Sequence, residues 1–305
     1  MEGDARAELA DRAVVVTGAG RGVGEACARE IARLGGRVVV NDIDAGSAQR
    51  VAEAIVAGGG IAVAHPADVT NRAEAAALIE RSVTEFGRID GLVNNAALMA
   101  VGDLVEYDEQ VLRRLLEVNV VGVVNCAAEA VVRMYRQNSG SIVNVTSGAH
   151  LGLTHMSLYA ATKGAVASLT YAWAAEARDT AVRVNALSPF AIGHMTRMTD
   201  DYLIANGHAD APFAAPAPEA NAPVVAYLLS DRAAAIHGQV VRIDGTKLSL
   251  MAHPAIMPPV LENPMWTYLD VGRAFDEVLA RRQAPVGIAW GEPASRQPPQ
   301  PIEFP

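Results

Sequence analysis

A chain of 305 residues with 51% hydrophobic and 19% charged content can bury one large core or two smaller ones. Its formal charge of −9, with no block rich in Lys or Arg, excludes the clustered cations that hold nucleic acid or an anionic membrane surface. Residues 1–12 lack the basic-then-apolar layout of a secretion signal, and no apolar run approaches the roughly 18 residues of a membrane span, so a soluble, cytoplasmic protein is expected.

In chain order, AVVVT (13–17) is continuously apolar, as a parallel strand covered on both faces should be, and RGVGEACAREIARLGG then runs at helical spacing to a glycine stop. RVVVND (37–42), IAVAHPAD (61–68), GLVNN (91–95), GSIVNVTS (140–147), VRVNALS (182–188) and QVVRID (239–244) repeat the strand pattern. Between them lie helical segments such as 45–57, with Asp44 as a cap, and 71–86, where Asn71 with Glu74 resembles a capping box. Seven strands alternating with helices predict an α/β fold, a doubly wound, seven-stranded parallel sheet of the Rossmann-like type in a single domain over 1–249. Residues 189–222, with the Ala/Pro-rich HADAPFAAPAPEANAP, are too long for an ordinary connection and read as a substrate lid. Residues 250–305 read as a Pro-rich C-terminal extension with one amphipathic helix starting near Thr267, YLDVGRAFDEVLARR, and a coreless tail WGEPASRQPPQPIEFP. Cys27 and Cys126 fall inside apolar helical patterns and read as buried thiols.

The chemistry gathers at strand ends. TGAGRGVG (17–24) follows the first strand and opens a helix, so its backbone can approach a pyrophosphate that the helix N-terminus also attracts. Gly18, Gly22 and Gly24 carry the turn in the pattern T-G-x-x-x-G-x-G, with Arg21 and Val23 between them. Asp42, at the end of the second strand, is placed to accept hydrogen bonds from ribose hydroxyls and to repel a 2′-phosphate, which favours NAD over NADP. Arg21 pulls the other way, because a guanidinium in the loop can reach a 2′-phosphate. Lys163 is one of two lysines among 25 cations and stands four residues after Tyr159, so the two share one helix face.

These residues, in this order, resemble the short-chain dehydrogenase/reductase family over about residues 10–248. Asp68 and Val69 match its adenine-contacting pair, and NNAA (94–97), with Asn95 and Ala97, resembles its Asn-Asn-Ala-Gly. Asn119, Ser147, Tyr159 and Lys163 match its catalytic positions. Pro189 and Ile192 fall in its cofactor-contacting segment after the sixth strand. The resemblance implies a hydride transfer between a nicotinamide cofactor and a secondary alcohol or ketone, with Tyr159 as general acid/base and Ser147 holding the substrate oxygen. It also implies that Lys163 holds the nicotinamide ribose and passes protons to a water held by Asn119. One unit charge about 4 Å from the phenol, at an effective dielectric near 20, is worth roughly 4 kcal/mol and would bring its pKa toward 7.

The sequence departs from the family in places. Ser147 stands twelve before Tyr159, whereas Thr146 holds the usual spacing of thirteen; Ser147 is preferred because it ends the strand. Ala97 and Phe190 replace glycines, and His194 and Thr196 straddle the place of a cofactor-contacting threonine. His150 and His155 flank the serine-to-tyrosine loop and read as solvated loop residues, and nothing has metal-ligand spacing. Leu98, Met99, Leu151, Leu153, Met156, Phe190 and Met195 suggest a pocket mouth for a substrate with an apolar body. The expectation is an NAD-dependent alcohol dehydrogenase or ketoreductase. The alternatives are an NADPH-dependent 3-oxoacyl thioester reductase and a non-catalytic nucleotide-sensing or scaffold protein. The family further implies a homo-oligomer, tetramer or dimer, formed through the helices at 108–136 and 157–178.

Overall fold

A computed structural model describes residues 8–282. The chain divides into two compact units, Met1–Met251 and Ala252–Pro305. In the first, β1 (Ala13–Val16), β2 (Arg37–Val40), β3 (Ile61–Ala64), β4 (Gly91–Asn94), β5 (Gly140–Val145), β6 (Val182–Ser188) and β7 (Val240–Asp244) form a parallel sheet in the order β3-β2-β1-β4-β5-β6-β7. An eighth strand, β8 (Lys247–Leu250), adds antiparallel to β7 and corrects the expected seven. The two residues between Asp244 and Lys247 are enough to turn the chain because an antiparallel neighbour needs no crossover.

Alternation along the strands sorts the core. Val14 and Val16, Val38 and Val40, and Val143 and Val145 face one layer, built on α1 (Gly22–Arg33), α2 (Ala45–Ala57) and α8 (Ala222–Leu229). Val15, Val39, Leu92 and Ile142 face the other, built on α3 (Arg72–Phe86), α5 (Gly122–Gln137) and α6 (Ser157–Glu176). Each buried Val, Leu or Ile contributes about 1.5–3 kcal/mol over its exposed state, so continuous apolar runs can be satisfied only by helices on both faces. Cys27 and Cys126 lie in opposite layers, and burial pushes both thiols up to about 12. Asp44 caps α2 by accepting from Ser47 N–H at 3.1 Å. Asn71 accepts from Ala73 and Glu74 at the start of α3, while the Glu74 carboxylate reaches back to Asp68 N–H rather than to Asn71 N–H, so the box is displaced by three residues.

Helix α4 (Glu109–Leu116) runs into α5 through a π-helical turn, Glu117–Val121. The combined stretch Glu109–Gln137 holds an 18-residue window of mean hydropathy 1.7, long and apolar enough to cross a membrane by length and composition, which corrects the sequence reading. That window is 44% buried, and Cys126, Ala127, Ala130 and Met134 pack into the second core layer, as in a core helix. The long connection after β6 also differs from a plain loop, for it contains α7 (His194–Ala205).

In the second unit, α9 (Tyr268–Glu277) starts at Thr267, whose hydroxyl accepts from Asp270 N–H while the Asp270 carboxylate accepts from Thr267 N–H. It stops earlier than expected, and Leu279–Arg282 form a 3₁₀ turn. Ile256, Trp266, Val271, Phe275 and Leu279 line an apolar cleft within this unit. The predicted tail 290–305 lies outside the described residues.

Candidate active site

The strand order reverses direction between β1 and β4, which opens a crevice at their carboxyl ends where open α/β sheets bind ligands. The glycine loop sits on it. Gly18 has φ +59° and a Cβ there would lie 2.8 Å from Ala96 Cα; one on Gly24 would lie 2.3 Å from Gly18 O and 2.4 Å from Asn95 Nδ2. Asn95 holds this closure by donating from Nδ2 to Thr17 O and Gly18 O, both at 2.9 Å. Gly22 has φ +60° and nothing within 4 Å of a built Cβ, so the loop is tight against β4 but open above the first turn of α1. Unpaired N–H groups of that turn, Val23 among them, are suited to a pyrophosphate. The residues fit a dinucleotide.

Asp42 follows β2 and accepts from Gly20 N–H at 2.9 Å through Oδ2 and from Asp44 N–H at 3.1 Å through Oδ1. Its carboxylate is therefore fixed against the loop while each oxygen keeps further lone-pair capacity. Arg21 is exposed, and its charge is felt at Asp44, whose carboxyl is lowered first by the Ser47 N–H and in smaller part by Arg21. Arg50, which sequence reasoning passed over, donates to Gly20 O at 2.6 Å and pairs with Glu25. Beyond β3, burial raises the Asp68 carboxyl, but hydrogen bonds from Thr70 and the charge of Arg114 outweigh it and hold the group below its usual range. Val69 is buried, and its carbonyl accepts from Asn125 at 3.0 Å. Ala97 is half-buried just beyond β4.

The residues expected to be catalytic gather around α6. Tyr159 and Lys163 share a face and are 7% and 2% exposed, which for a lysine leaves the ammonium almost without water. Nζ donates to Val145 O at 2.8 Å and lies 5.8 Å from the Tyr159 ring centroid. Burial pushes the phenol up to about 12, with a hydrogen bond from Ser147 pulling the other way, and burial lowers Lys163 to about 8. The expected drop of the phenol toward 7 is thus not met in this arrangement: the ammonium is engaged by the strand-end carbonyl, and desolvation of the phenolate outweighs Ser147.

Ser147 lies near enough to Tyr159 for its side chain to lower the phenol, while its oxygen accepts from Ala149 N–H at 3.1 Å. Thr146 is 1% exposed and donates to Lys163 O at 2.8 Å, a packing role that explains why the residue at the usual spacing is not the one facing the phenol. Asn119 sits in the π-turn, fully buried. Its Oδ1 accepts from Leu98 N–H at 2.7 Å, and its Nδ2 donates to Leu98 O at 2.8 Å and to Thr162 Oγ1 at 2.9 Å. That side chain ties the Leu98 main chain to the Thr162 hydroxyl of α6, which uses both Nδ2 hydrogens and leaves acceptor capacity on Oδ1.

Pro189 and Phe190 leave β6 half-buried, and Asn221 clamps Phe190 by accepting from its N–H at 3.2 Å and donating to its carbonyl at 3.1 Å. Ile192 N–H donates to Pro216 O at 2.7 Å, tying the two ends of the 189–222 segment together, while Thr196 is spent on Ala191 O. His150 and His155 are half-buried and partnered rather than free in the loop. His150 contacts Ser147 O and Thr146, and His155 pairs with Asp103 at 2.6 Å and stacks on His208 at 4.2 Å. Met99, Val101, Ala149 and Met156 pack around Tyr159, and Leu98, Leu151 and Leu153 stay exposed nearby in sequence.

A sequence profile described as short chain dehydrogenase matches residues 12–204. A cis-4-hydroxycyclohexanecarboxylate dehydrogenase of Sinomonas cyclohexanicum is 37% identical over 78% of this chain and 96% of its own. A 3-oxoacyl-[acyl-carrier-protein] reductase of Staphylococcus aureus is 36% identical over 77% of this chain and 97% of its own. The crystal structure of a gluconate 5-dehydrogenase from Burkholderia cenocepacia, in complex with NADP and tartrate, superposes with a TM-score of 0.70 at 28% identity, covering 79% of this chain and 96% of that one.

Proposed function

Because the chain belongs to the short-chain dehydrogenase/reductase family and is an oxidoreductase, we propose that it transfers a hydride between NAD and a secondary alcohol or ketone with an apolar body. The observation that carries this reading is the convergence of Ser147, Tyr159 and Lys163 on one buried point beside the glycine loop crevice. When bound, the cofactor supplies the hydride-exchanging carbon.

Tyr159 keeps its proton at neutral pH and is ready to give it to the oxygen of a ketone as that oxygen gains charge. Ser147, whose own oxygen is already held by Ala149, directs its hydroxyl proton to the same place and orients the substrate oxygen. Lys163 remains cationic at neutral pH and favours the phenolate that results. In the oxidative direction Tyr159 must first lose its proton, so that rate rises with pH. Gly18, Gly22 and Gly24 would hold the pyrophosphate, Asp42 the ribose hydroxyls, and Asp68, Val69, Asn95, Ala97, Pro189 and Ile192 the remaining cofactor edge. Met99, Met156 and Phe190 give the substrate end its apolar character, with 189–222 closing over it as a lid.

Two observations favour a second reading, an NADPH-dependent reduction of a 3-oxoacyl thioester: the likeness to the Staphylococcus reductase and the presence of Arg21 and Arg50 at the glycine loop. A screen of secondary alcohols with NAD⁺ and NADP⁺, read by absorbance of the reduced cofactor, separates them. NAD-linked oxidation of apolar alcohols is expected; NADPH-linked reduction of acyl thioesters without it would overturn the first reading. Exposed Val121, Val124, Val132 and Tyr135 along the π-turn and α5 support assembly into a homo-oligomer through this helix face.

A further inference from the structure

The end of β5 is tied down at three consecutive residues. Lys163 Nζ donates to Val145 O at 2.8 Å, Thr146 Oγ1 donates to Lys163 O at 2.8 Å, and His150 Nδ1 meets Ser147 O at 2.5 Å. The first two ties join the strand to the helix that carries Tyr159. The third is different, because it comes from the short loop itself and closes on the main chain of the residue whose hydroxyl faces the phenol.

Its chemistry fixes the imidazole. A carbonyl oxygen only accepts, so Nδ1 must carry the hydrogen. The Thr146 hydroxyl has committed its proton to Lys163 O, which leaves its oxygen as an acceptor for the same Nδ1–H at 3.3 Å. His150 N–H adds a longer bond to the same Ser147 carbonyl at 3.4 Å. Burial holds the ring below its ordinary pKa, with the Ser147 carbonyl opposing in part. Ser147 is kept extended at φ −162° and ψ 152°. Only twelve positions separate Ser147 from Tyr159, and the imidazole bridges the turn that this short loop has to make.

We infer that His150 is a positioning residue for Ser147: its Nδ1–H grips the Ser147 carbonyl, fixes that residue's backbone, and so aims the hydroxyl at the Tyr159 oxygen. The inference rests on the reading of Ser147 and Tyr159 as catalytic. His150 itself touches no reacting atom.

The test compares His150→Leu and His150→Asn, each alone and combined with Ser147→Ala, using the secondary alcohol that gives the fastest NAD⁺-linked rate. NADH affinity is followed by fluorescence. His150→Leu is expected to lower kcat about tenfold or more, because misaimed groups lose rate steeply, with NADH affinity changed less than about twofold. Asn places a side-chain N–H near the position of Nδ1 and should recover kcat to within about threefold of the parent. Combined with Ser147→Ala, His150→Leu should cost nothing further. An equal loss in both backgrounds, equal loss with Leu and Asn, or an unchanged kcat in His150→Leu overturns the proposal. An unchanged kcat in Tyr159→Phe would instead overturn the underlying reading. Should the Leu variant not fold, long-range ¹H–¹⁵N spectra of the parent protein decide without turnover: the Nδ1–H tautomer of neutral His150 is expected, and the Nε2–H tautomer refutes the grip on Ser147.

Discussion

The loop after β1 and the loop after β5 lie at the same edge of the sheet but are held by different means. After β1, the loop is held mainly through its main chain: Ala19 N–H donates to Asn41 O at 2.7 Å, Gly24 packs on Gly18 O, and the side chains of Asn95, Asp42 and Arg50 all bond to main-chain atoms. After β5, side chains hold the turn: Lys163 and Thr146 join the strand to the helix, and His150 closes the loop on Ser147 O. A backbone-held loop is sensitive to added atoms and a side-chain-held one to deleted atoms. On the proposed function, the first would hold the cofactor and the second would position the groups that exchange a proton.

The sharpest way to break that contrast is at Tyr159. Tyr159→Phe removes one oxygen from the side-chain-held end and should lower kcat by about 10³-fold, within the range for a lost general acid, while NADH affinity stays near parental. Steady-state rates with fluorescence binding check this; comparable losses in both would mean the two ends are not separable.

Adding one carbon to the other end should do the reverse. At Gly24→Ala the new Cβ would stand 2.3 Å from a backbone oxygen and 2.4 Å from Asn95 Nδ2. Main chain cannot move aside cheaply, so overpacking of about 2 kcal/mol is expected to appear as a rise of about thirtyfold in the NADH dissociation constant. Gly22→Ala meets no atom within 4 Å and should cost only the αL strain of its φ of +60°, about 1 kcal/mol. Titration calorimetry of both variants orders them; Gly22→Ala weaker than Gly24→Ala would contradict the tight-below, open-above reading of the loop.

The contrast also accounts for what was legible from sequence. Strands, helices and the glycine loop depend on neighbours within a few residues, and Val14, Val15 and Val16 announce a two-faced strand by themselves. Several bonds around Tyr159 and Lys163 join residues 17 or more positions apart, as in Thr146 with Lys163 and Asn119 with Thr162, so residue type alone could name Ser147, Tyr159 and Lys163 but not how they are held. Asn221 and Arg50 were invisible for the same reason, since each acts on a backbone carbonyl supplied by the fold. The π-turn at Glu117–Val121 contains no Pro or Gly to mark it. Helix α7 was hidden by the Ala/Pro-rich residues after it, although Met195, Thr199 and Tyr202 follow helical spacing and Thr199 is buried on it.

A smaller effect is expected at Asp42. With the carboxylate replaced in Asp42→Ala, the ribose hydroxyls lose an acceptor and a 2′-phosphate loses a repelling charge, so the ratio of kcat/KM for NAD⁺ over NADP⁺ should fall about tenfold. An unchanged ratio would remove Asp42 from cofactor choice and leave Arg21 or Arg50 to set it. The loop itself should loosen slightly, because Gly20 N–H loses its partner.

The smallest effect tests the buried ammonium without any substrate. Burial lowers Lys163 from 10.5 to about 8, so between those values the unfolded chain binds more protons than the folded one, and stability rises with pH. Below about pH 8 both states are protonated and the penalty is present in full. Tyr159, raised from 10.0 to about 12, acts with the opposite sign but only above 10, and Cys27 and Cys126, raised from 9.0 to about 12, oppose the rise above 9. Between about pH 7.5 and 9 Lys163 should therefore add about 1 kcal/mol to the unfolding free energy, offset in part as the two thiols of the unfolded chain begin to ionise toward 9. Urea unfolding of the parent and of Lys163→Met at the two ends of that window isolates the term, since every other titration is shared. A parent and a variant with the same pH slope would place the ammonium in water, and with it the electrostatic difference between the two loops.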